Sequence, residues 1–257
     1  MKKIIILLTI VIAVVAGAFW FITSDKLNLL IAEQIELQGS KFTEQAVTVK
    51  SVDMKVLQGA GTINGLVLNN PKGYSATPAF SLNTTTLDIN ITSLADAKNG
   101  GAVIIDEIII VKPEALVEFS ETGGSNIQEI LDAINKNLPK SSTAKDATQA
   151  PTSNDNMPKV RVKKFVLAGV ALRVDLTKLG NTTHKKTLPN IELTNIGGDA
   201  GLPADQLGGT MLKEVLSAIW KEAKKSQKKV LEDKLKEKAK DKIKDKTKDL
   251  LNKFTKD

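Results

Sequence analysis

Residues able to do chemistry are sparse in this chain. It has one histidine, His184, and no cysteine. With no second imidazole and no thiolate, a zinc site of the His/Cys kind cannot be completed, and disulfides and cysteine nucleophiles are excluded. His184 follows Gly180-Asn181-Thr182-Thr183 and precedes Lys185 and Lys186, a setting that reads as a solvated loop. Asp106 with Glu107, and Glu118 with Glu121, are the carboxylate pairs that acid–base work could use. Their place in alternating apolar runs puts them at solvated strand edges instead. Gly59-Ala60-Gly61-Thr62-Ile63-Asn64-Gly65 has one residue too many for a dinucleotide-binding G-x-G-x-x-G loop, and it leads into a strand rather than a helix. The residues point away from an enzyme and imply no cofactor and no metal.

What the chain offers instead is strand faces. The 257 residues are 42% hydrophobic and 25% charged, a globular composition. From Ala46 to Phe119 the apolar period is two. Val47-Thr48-Val49 and Val52 to Val56 alternate with a slip near Ser51 that suggests a bulge. Leu87, Ile89 and Ile91 share one face of a run whose other face carries Asp88, Asn90 and Thr92. Val103 to Val111 is apolar on both faces except for Asp106 and Glu107, which suits an interior strand. Gly, Asn and Pro clusters separate the runs, and Asn70-Pro71-Lys72-Gly73 has the order of a type I turn. Ser125 opens a capping box with Gln128, and Ile127, Ile130, Leu131, Ile134 and Leu138 then form one helical face. Residues 139–158 are polar and read as a flexible loop. Strands resume at Val160. A shift of 57 residues superposes Ile105-Asp106-Glu107-Ile108 on Val162-Lys163-Lys164-Phe165, and Val117-Glu118 on Val174-Asp175, as an internal repeat would.

The two ends differ from this body. Lys2-Lys3 precede Ile4 to Ile22, an uncharged stretch of 19 residues. At 1.5 Å per residue it nearly spans the roughly 30 Å of bilayer hydrocarbon, with Trp20 and its neighbours at the far interface. The positive-inside rule then exports everything from Asp25 onward. Ala16-Gly17-Ala18 admits a second reading, a cleaved signal peptide. Leu27, Leu30, Ile31 and Ile35 recur at helical spacing and suggest a stalk helix ended by Gly39. From Pro203 or Asp205 to Phe254 the pattern is again helical. Lys213 to Asp257 holds 16 Lys and 9 acidic residues and so carries the whole net charge of +7. A basic stretch of this kind seeks phosphates, and export argues against nucleic acid as their source.

A resemblance joins these features. A strand starting at Gly61, carrying Gly65-Leu66 and closing in Asn70-Pro71-Lys72-Gly73-Tyr74, is similar to the signature of AsmA-like proteins of the Gram-negative envelope. So is the later run Ile105, Ile108, Ile110 and Pro113, followed by Gly124-Ser125-Asn126 before a short helix. The resemblance covers Lys2 to about Gly198 and leaves the Lys-rich tail unmatched. It implies an inner-membrane-anchored periplasmic protein with a taco-like sheet lined by apolar side chains. The long members are thought to conduct phospholipid across the periplasm. This chain is short for a complete bridge.

The combined expectation is a mainly β fold with some α. A transmembrane signal-anchor at 1–24, running from Ile4 past Trp20 to Ile22, precedes a curled antiparallel β-groove domain at 25–202. One short helix packs on the groove, and 203–257 forms a long basic helix. The expected function is non-enzymatic: binding or shielding lipid acyl chains in the groove, in aid of envelope lipid transport or outer-membrane biogenesis. The expected lining is Leu66, Leu68, Leu87, Ile89, Ile91, Ile108, Ile110, Phe165 and Leu167. Membrane phospholipid is the expected partner, with room for an envelope protein. The alternative is a scaffold whose sheet is closed and which works through its basic helix.

Overall fold

The computed structural model describes residues 25–97, 100–138 and 159–254. The expected anchor, with Ile4, Trp20 and Ile22, and the expected loop 139–158 lie outside the described residues. The strands are β1 (Val47–Thr48), β2 (Ser51–Lys55), β3 (Ala60–Leu68), β4 (Phe80–Ile89), β5 (Ala102–Val111), β6 (Glu114–Glu118), β7 (Lys159–Ala168), β8 (Ala171–Asp175), β9 (Thr183–Thr187), β10 (Ile191–Ile196) and β11 (Leu202–Pro203). The helices are α1 (Asp25–Thr43), α2 (Ile91–Ala97), α3 (Asn126–Asn137), α4 (Thr177–Gly180) and α5 (Ala204–Phe254).

The strands belong to one sheet, and their registers show that most are halves of longer ones. Opposite β3, Val47 faces Leu68 and Ser51 faces Asn64, so β1 and β2 are one line that skips a step without losing register. Opposite β4, Ile110 faces Thr85 and Glu114 faces Ser81, so β5 and β6 are another. β7–β8 and β9–β10 are continuous by the same test. The sheet therefore has six long lines in sequential order.

A single crease crosses all six. The registers align Lys50-Ser51, Asn64-Gly65, Asn83-Thr84, Val111-Lys112, Ala168-Gly169 and Pro189-Asn190 side by side. At each pair the inward apolar residues step by three instead of two, as in Ile110 to Pro113 and Leu167 to Val170. Lys112 and Gly169, adjacent in the crease, both have positive φ. At Gly65, also left-handed, an added Cβ would lie 2.7 Å from that of Lys50, so only glycine lets the two lines touch there. A bulge bends its strand, and here the bends of all six lines fall side by side. The slip expected near Ser51 is one tooth of this crease.

A second, shorter row of bulges explains the charged pairs. Asp106 is the extra residue where β4 and β5 shift register between Asp88 and Ile89. Lys163 stands beside it at the same offset of 57 that relates all of β5–β6 to β7–β8. Lys163 binds Asp106 at 2.6 Å and Lys164 binds Glu107 at 2.9 Å. The Glu107 carboxylate holds the Lys164 ammonium above its usual pKa. The offset legible in the sequence is thus a pairing register, and these carboxylates serve as strand-to-strand ties. The same register corrects the expected antiparallel meander: β5 with β7 and β6 with β8 are parallel, so the sheet is mixed. Parallel neighbours need a crossover, and α3 lies within it.

The apolar face does not form an empty trough. α3 contributes the fully buried Ile127, Ile130 and Ile134, and α5 contributes Leu216, Ile219 and Ala223. Both join Phe80, Val117, Leu167, Leu172 and Val174 of the sheet in one core. The Trp220 ring stacks at 5.5 Å from that of Phe119. The expectation of one packing helix is corrected accordingly: the first half of the basic helix is a core element. Its apolar positions from Leu207 to Ala223 cover the sheet, and the chain beyond carries the charge.

α1 has a different task. It runs along the outer edge of β1–β2 and past Gly39, where the stalk was expected to end. Asn28 Oδ1 accepts from the Met54 N–H at 2.9 Å, Glu36 Oε1 from Val49 at 2.7 Å, and Ser40 Oγ from Val47 at 3.0 Å. An edge strand with free N–H groups invites further pairing; here a helix covers it with side-chain acceptors.

On the opposite edge, Lys186 of β9 reaches Glu222 of α5 at 3.0 Å, and Lys225 joins at 2.5 Å. Lys225, then Lys186, hold the Glu222 carboxyl below its usual pKa. A carboxyl with a depressed folded pKa stabilises fully above its unfolded value near 4.3, and loses that contribution as pH falls through the folded one. The grip of α5 on β9 is therefore expected to weaken as pH falls below that unfolded value. In urea titrations, the midpoint advantage of the wild type over Glu222→Gln should be present at pH 6 and shrink progressively on acidification.

Candidate functional site

Two motifs singled out in the sequence meet in space. Asn126, fully buried, is a four-bonded hub. Its Oδ1 accepts from the Glu118 and Ile127 N–H groups at 2.9 and 2.8 Å. Its Nδ2 donates to Leu116 O at 2.8 Å and to Asn70 Oδ1 at 2.6 Å. Asn70 in turn holds its own turn closed through Ser75 O and Thr77 O. Tyr74 donates to Glu129 at 2.6 Å; burial first, and the Glu129 carboxylate second, keep its hydroxyl protonated far above the usual range. The Asn-Pro-Lys-Gly-Tyr turn is thereby pinned to the start of α3. This constellation binds the protein to itself, and its groups are fully engaged.

The groups first considered for chemistry do not assemble into a reactive site either. Glu118 accepts from the Ser75 N–H at 3.0 Å and lies 3.9 Å from Lys178. His184 is not on a loop: it sits in β9 opposite the buried Val174, facing α5, with Nε2 shut off from solvent and without a hydrogen-bond partner among the described residues. Backbone pairing with β8 draws it into the sheet against the polar character of its neighbours. Among the described residues, no three His, Asp or Glu side chains cluster as a metal site would require.

One cavity differs in character from all of this. It has a volume of about 670 Å³, within the range of ligand sites. α1 forms one wall with Leu30, Ile31, Ile35 and Phe42, and the sheet forms the floor with Val47, Leu66 and Leu68. The first turns of α5 close it with Ala204, Gly208, Gly209 and Leu212. Among the described residues, Gln34 and Gln38 are its only polar side chains, and Gln38 Oε1 is buried without a partner. Two adjacent glycines in a helix are unfavourable by about 1 kcal/mol each relative to Ala, and here they have separate roles. A Cβ at Gly209 would stand 2.8 Å from Leu138 and 2.9 Å from Phe42, so Gly209 lets α5 approach α1 and α3. Gly208 lines the cavity, and a Cβ added there would meet nothing within 4 Å.

The expected lining divides three ways. Leu66 and Leu68 line the cavity. Ile108, Ile110, Phe165 and Leu167 are buried in the core that α3 and α5 join, Leu87 packs against it, and Ile89 is buried outside that cluster, so most of the expected groove is protein interior. Ile91 is in neither place. It is 48% exposed and begins α2, because Asn90 accepts from the Ser93 N–H and ends the strand as a helix cap. Sequence reasoning missed the α1 and α5 walls. The available signals were the helical spacing of Leu30, Ile31 and Ile35, and a glycine pair inside a helical pattern.

Comparison with family models, with curated proteins and with solved structures finds no match to this chain. The AsmA-like resemblance therefore stands on its own residues, and the site must be argued from its geometry. A second cleft of about 490 Å³ lies on the opposite face of the sheet, where Arg173 opposes Lys185 and Glu114 is nearby. Its lining mixes charged side chains with Pro78, Ala115, Leu116 and Leu172, and it offers no apolar wall comparable to that of the α1–α5 cavity.

Proposed function

We propose that this protein is a short AsmA-like, non-enzymatic, inner-membrane-anchored periplasmic protein. It holds or shields a phospholipid acyl chain and so aids envelope lipid transport or outer-membrane biogenesis. The observation that carries the reading is the apolar cavity between α1 and α5. Its α1 wall runs from Leu30 to Phe42, about 18 Å at helical rise. One leaflet of bilayer hydrocarbon is about 15 Å deep. The Leu30 end is the end at which the uncharged run 4–24 joins α1, so the cavity leads away from where the bilayer would lie. Each acyl CH₂ buried there contributes about 0.8 kcal/mol, and a chain of ten or more needs no polar site to be retained.

Gly208→Trp tests this without disturbing the core, since position 208 faces open space. Wild-type protein extracted in mild detergent is expected to carry phospholipid by native mass spectrometry and to take up a fluorescent phospholipid. The variant should melt at the same temperature or higher and lose at least tenfold in uptake. Wild type that carries no lipid and takes none up would refute the reading, as would a variant with undiminished uptake.

The filled sheet face favours one alternative, a scaffold acting through the basic helix. Deleting residues 241–257 separates the two. Loss of envelope function with lipid uptake intact would assign the work to the helix.

A further inference from the structure

Exposed apolar side chains gather at one end of the molecule. β2 ends beside the first turn of α1, where Asn28 accepts from the Met54 N–H at 2.9 Å. The 3₁₀ turn Val56–Gln58 follows, and its Leu57 is 53% exposed. Gly59 caps that turn and accepts from the Ile89 N–H at 2.7 Å. Ile91, also exposed, comes within 3.2 Å of the Cβ position of Gly59. Leu29, next to Asn28, is 62% exposed. Three large apolar side chains from three separate elements thus stand exposed at this end, with none of the described residues over them.

From this arrangement we infer that Leu57, Ile91 and Leu29 form a membrane-contacting rim that sits in the headgroup layer of the bilayer. The inference rests on the anchor in the function proposed above and gives that anchor a docking geometry. Residues 4–24 carry no charge and lead in sequence straight to Asp25, the first described residue of α1. From Asp25 to Asn28 a helix rises about 4.5 Å. The headgroup layer on each side of the hydrocarbon is about 5–7 Å thick. A span ending at Ser24 therefore brings the level of Asn28, and with it Leu57 and Ile91, into that layer. Apolar side chains are accommodated there, while in water they would form an exposed patch of the kind that marks an interaction surface. The cavity mouth at Leu30 then opens directly onto lipid.

The absence of native cysteine makes single labels specific. Leu57→Cys, Ile91→Cys and, as a control, Val111→Cys are prepared in the full chain and labelled with an environment-sensitive fluorophore. Val111 is equally exposed, at 54%. It lies six residues along β5 from Ile105, the partner of Ile89, or about 20 Å farther from the rim. The proteins are reconstituted into phosphatidylethanolamine–phosphatidylglycerol vesicles with or without lipids brominated near the headgroup. Brominated lipid is expected to cut the emission at positions 57 and 91 at least twofold and to leave position 111 unchanged. If positions 57 and 91 respond no more than 111 while the protein resists carbonate extraction, the rim is refuted and the anchor stands. If carbonate releases the protein, the anchor fails and the rim falls with it. Matching thermal melts of the labelled variants confirm that each is folded.

Discussion

Asn126→Ala is expected to destabilise the protein by about 3–5 kcal/mol, the largest effect of any single polar substitution proposed. The side chain is fully buried and makes four hydrogen bonds. Truncation leaves the Glu118 N–H and the Leu116 carbonyl without partners inside the protein, and each orphaned group costs about 1–3 kcal/mol. It also frees the Asn70 turn from α3. For a chain of this size 1 kcal/mol corresponds to about 2–4 °C, so the melting temperature should fall by roughly 10 °C. Asn70→Ala removes only one bond of the hub and should cost about 1–2 kcal/mol. In a double-mutant cycle the two should couple by more than 0.5 kcal/mol, on the order expected of direct partners. Independent, additive losses in thermal unfolding monitored by circular dichroism would show that the two motifs are not energetically joined.

Ile219→Ala is expected to cost about 3–4 kcal/mol, as truncation of a fully buried aliphatic residue does. Deleting residues 241–257 should change the melting temperature by no more than about 2 °C. The contrast follows from where α5 packs: its core positions run from Leu207 to Ala223, and its last described ties to the body are Val230 against Gly180 and Lys234 to the Leu179 carbonyl. A basic tail independent of the body would give the opposite result, with Ile219→Ala silent. Urea unfolding of the two variants beside wild type makes the measurement, and the m-value adds a check. Loss of α5 from the sheet would expose core and raise the fluorescence wavelength of Trp220, which stacks on Phe119.

Some of this was legible in the residues. Alternation marked the strands because a half-buried strand must alternate. Ser125 marked the start of α3 because a hydroxyl caps a helix, and it does accept from the Gln128 N–H at 3.2 Å. The offset of 57 marked two lines that pair at that offset. Other features were hidden by ambiguity in local signals. Asn90-Ile91-Thr92 fits an alternating strand as well as a capped helix, and only the bond from Ser93 decides. The extra residue of a bulge, such as Asp106, looks in sequence like one polar residue in an apolar run.

What the sequence by itself determined is the periodicity of each segment, the hub-forming turn and cap motifs, the uncharged run at one end and the excess of lysine at the other. These are local properties, set by side-chain type and spacing along one chain. Tertiary structure alone decided that the bulges align into a crease, that two lines pair in parallel, and that the basic helix spends its first turns as core. It also decided that the apolar cavity lies between α1 and α5 rather than in the sheet. Each of those depends on which surfaces meet, and an apolar face has no intrinsic partner. The burial of Leu167 in a protein core or against a lipid chain releases similar free energy per unit area, so the choice falls to geometry: α5 joins the core of the sheet, and beside Gly208 it leaves a space that the described residues do not fill.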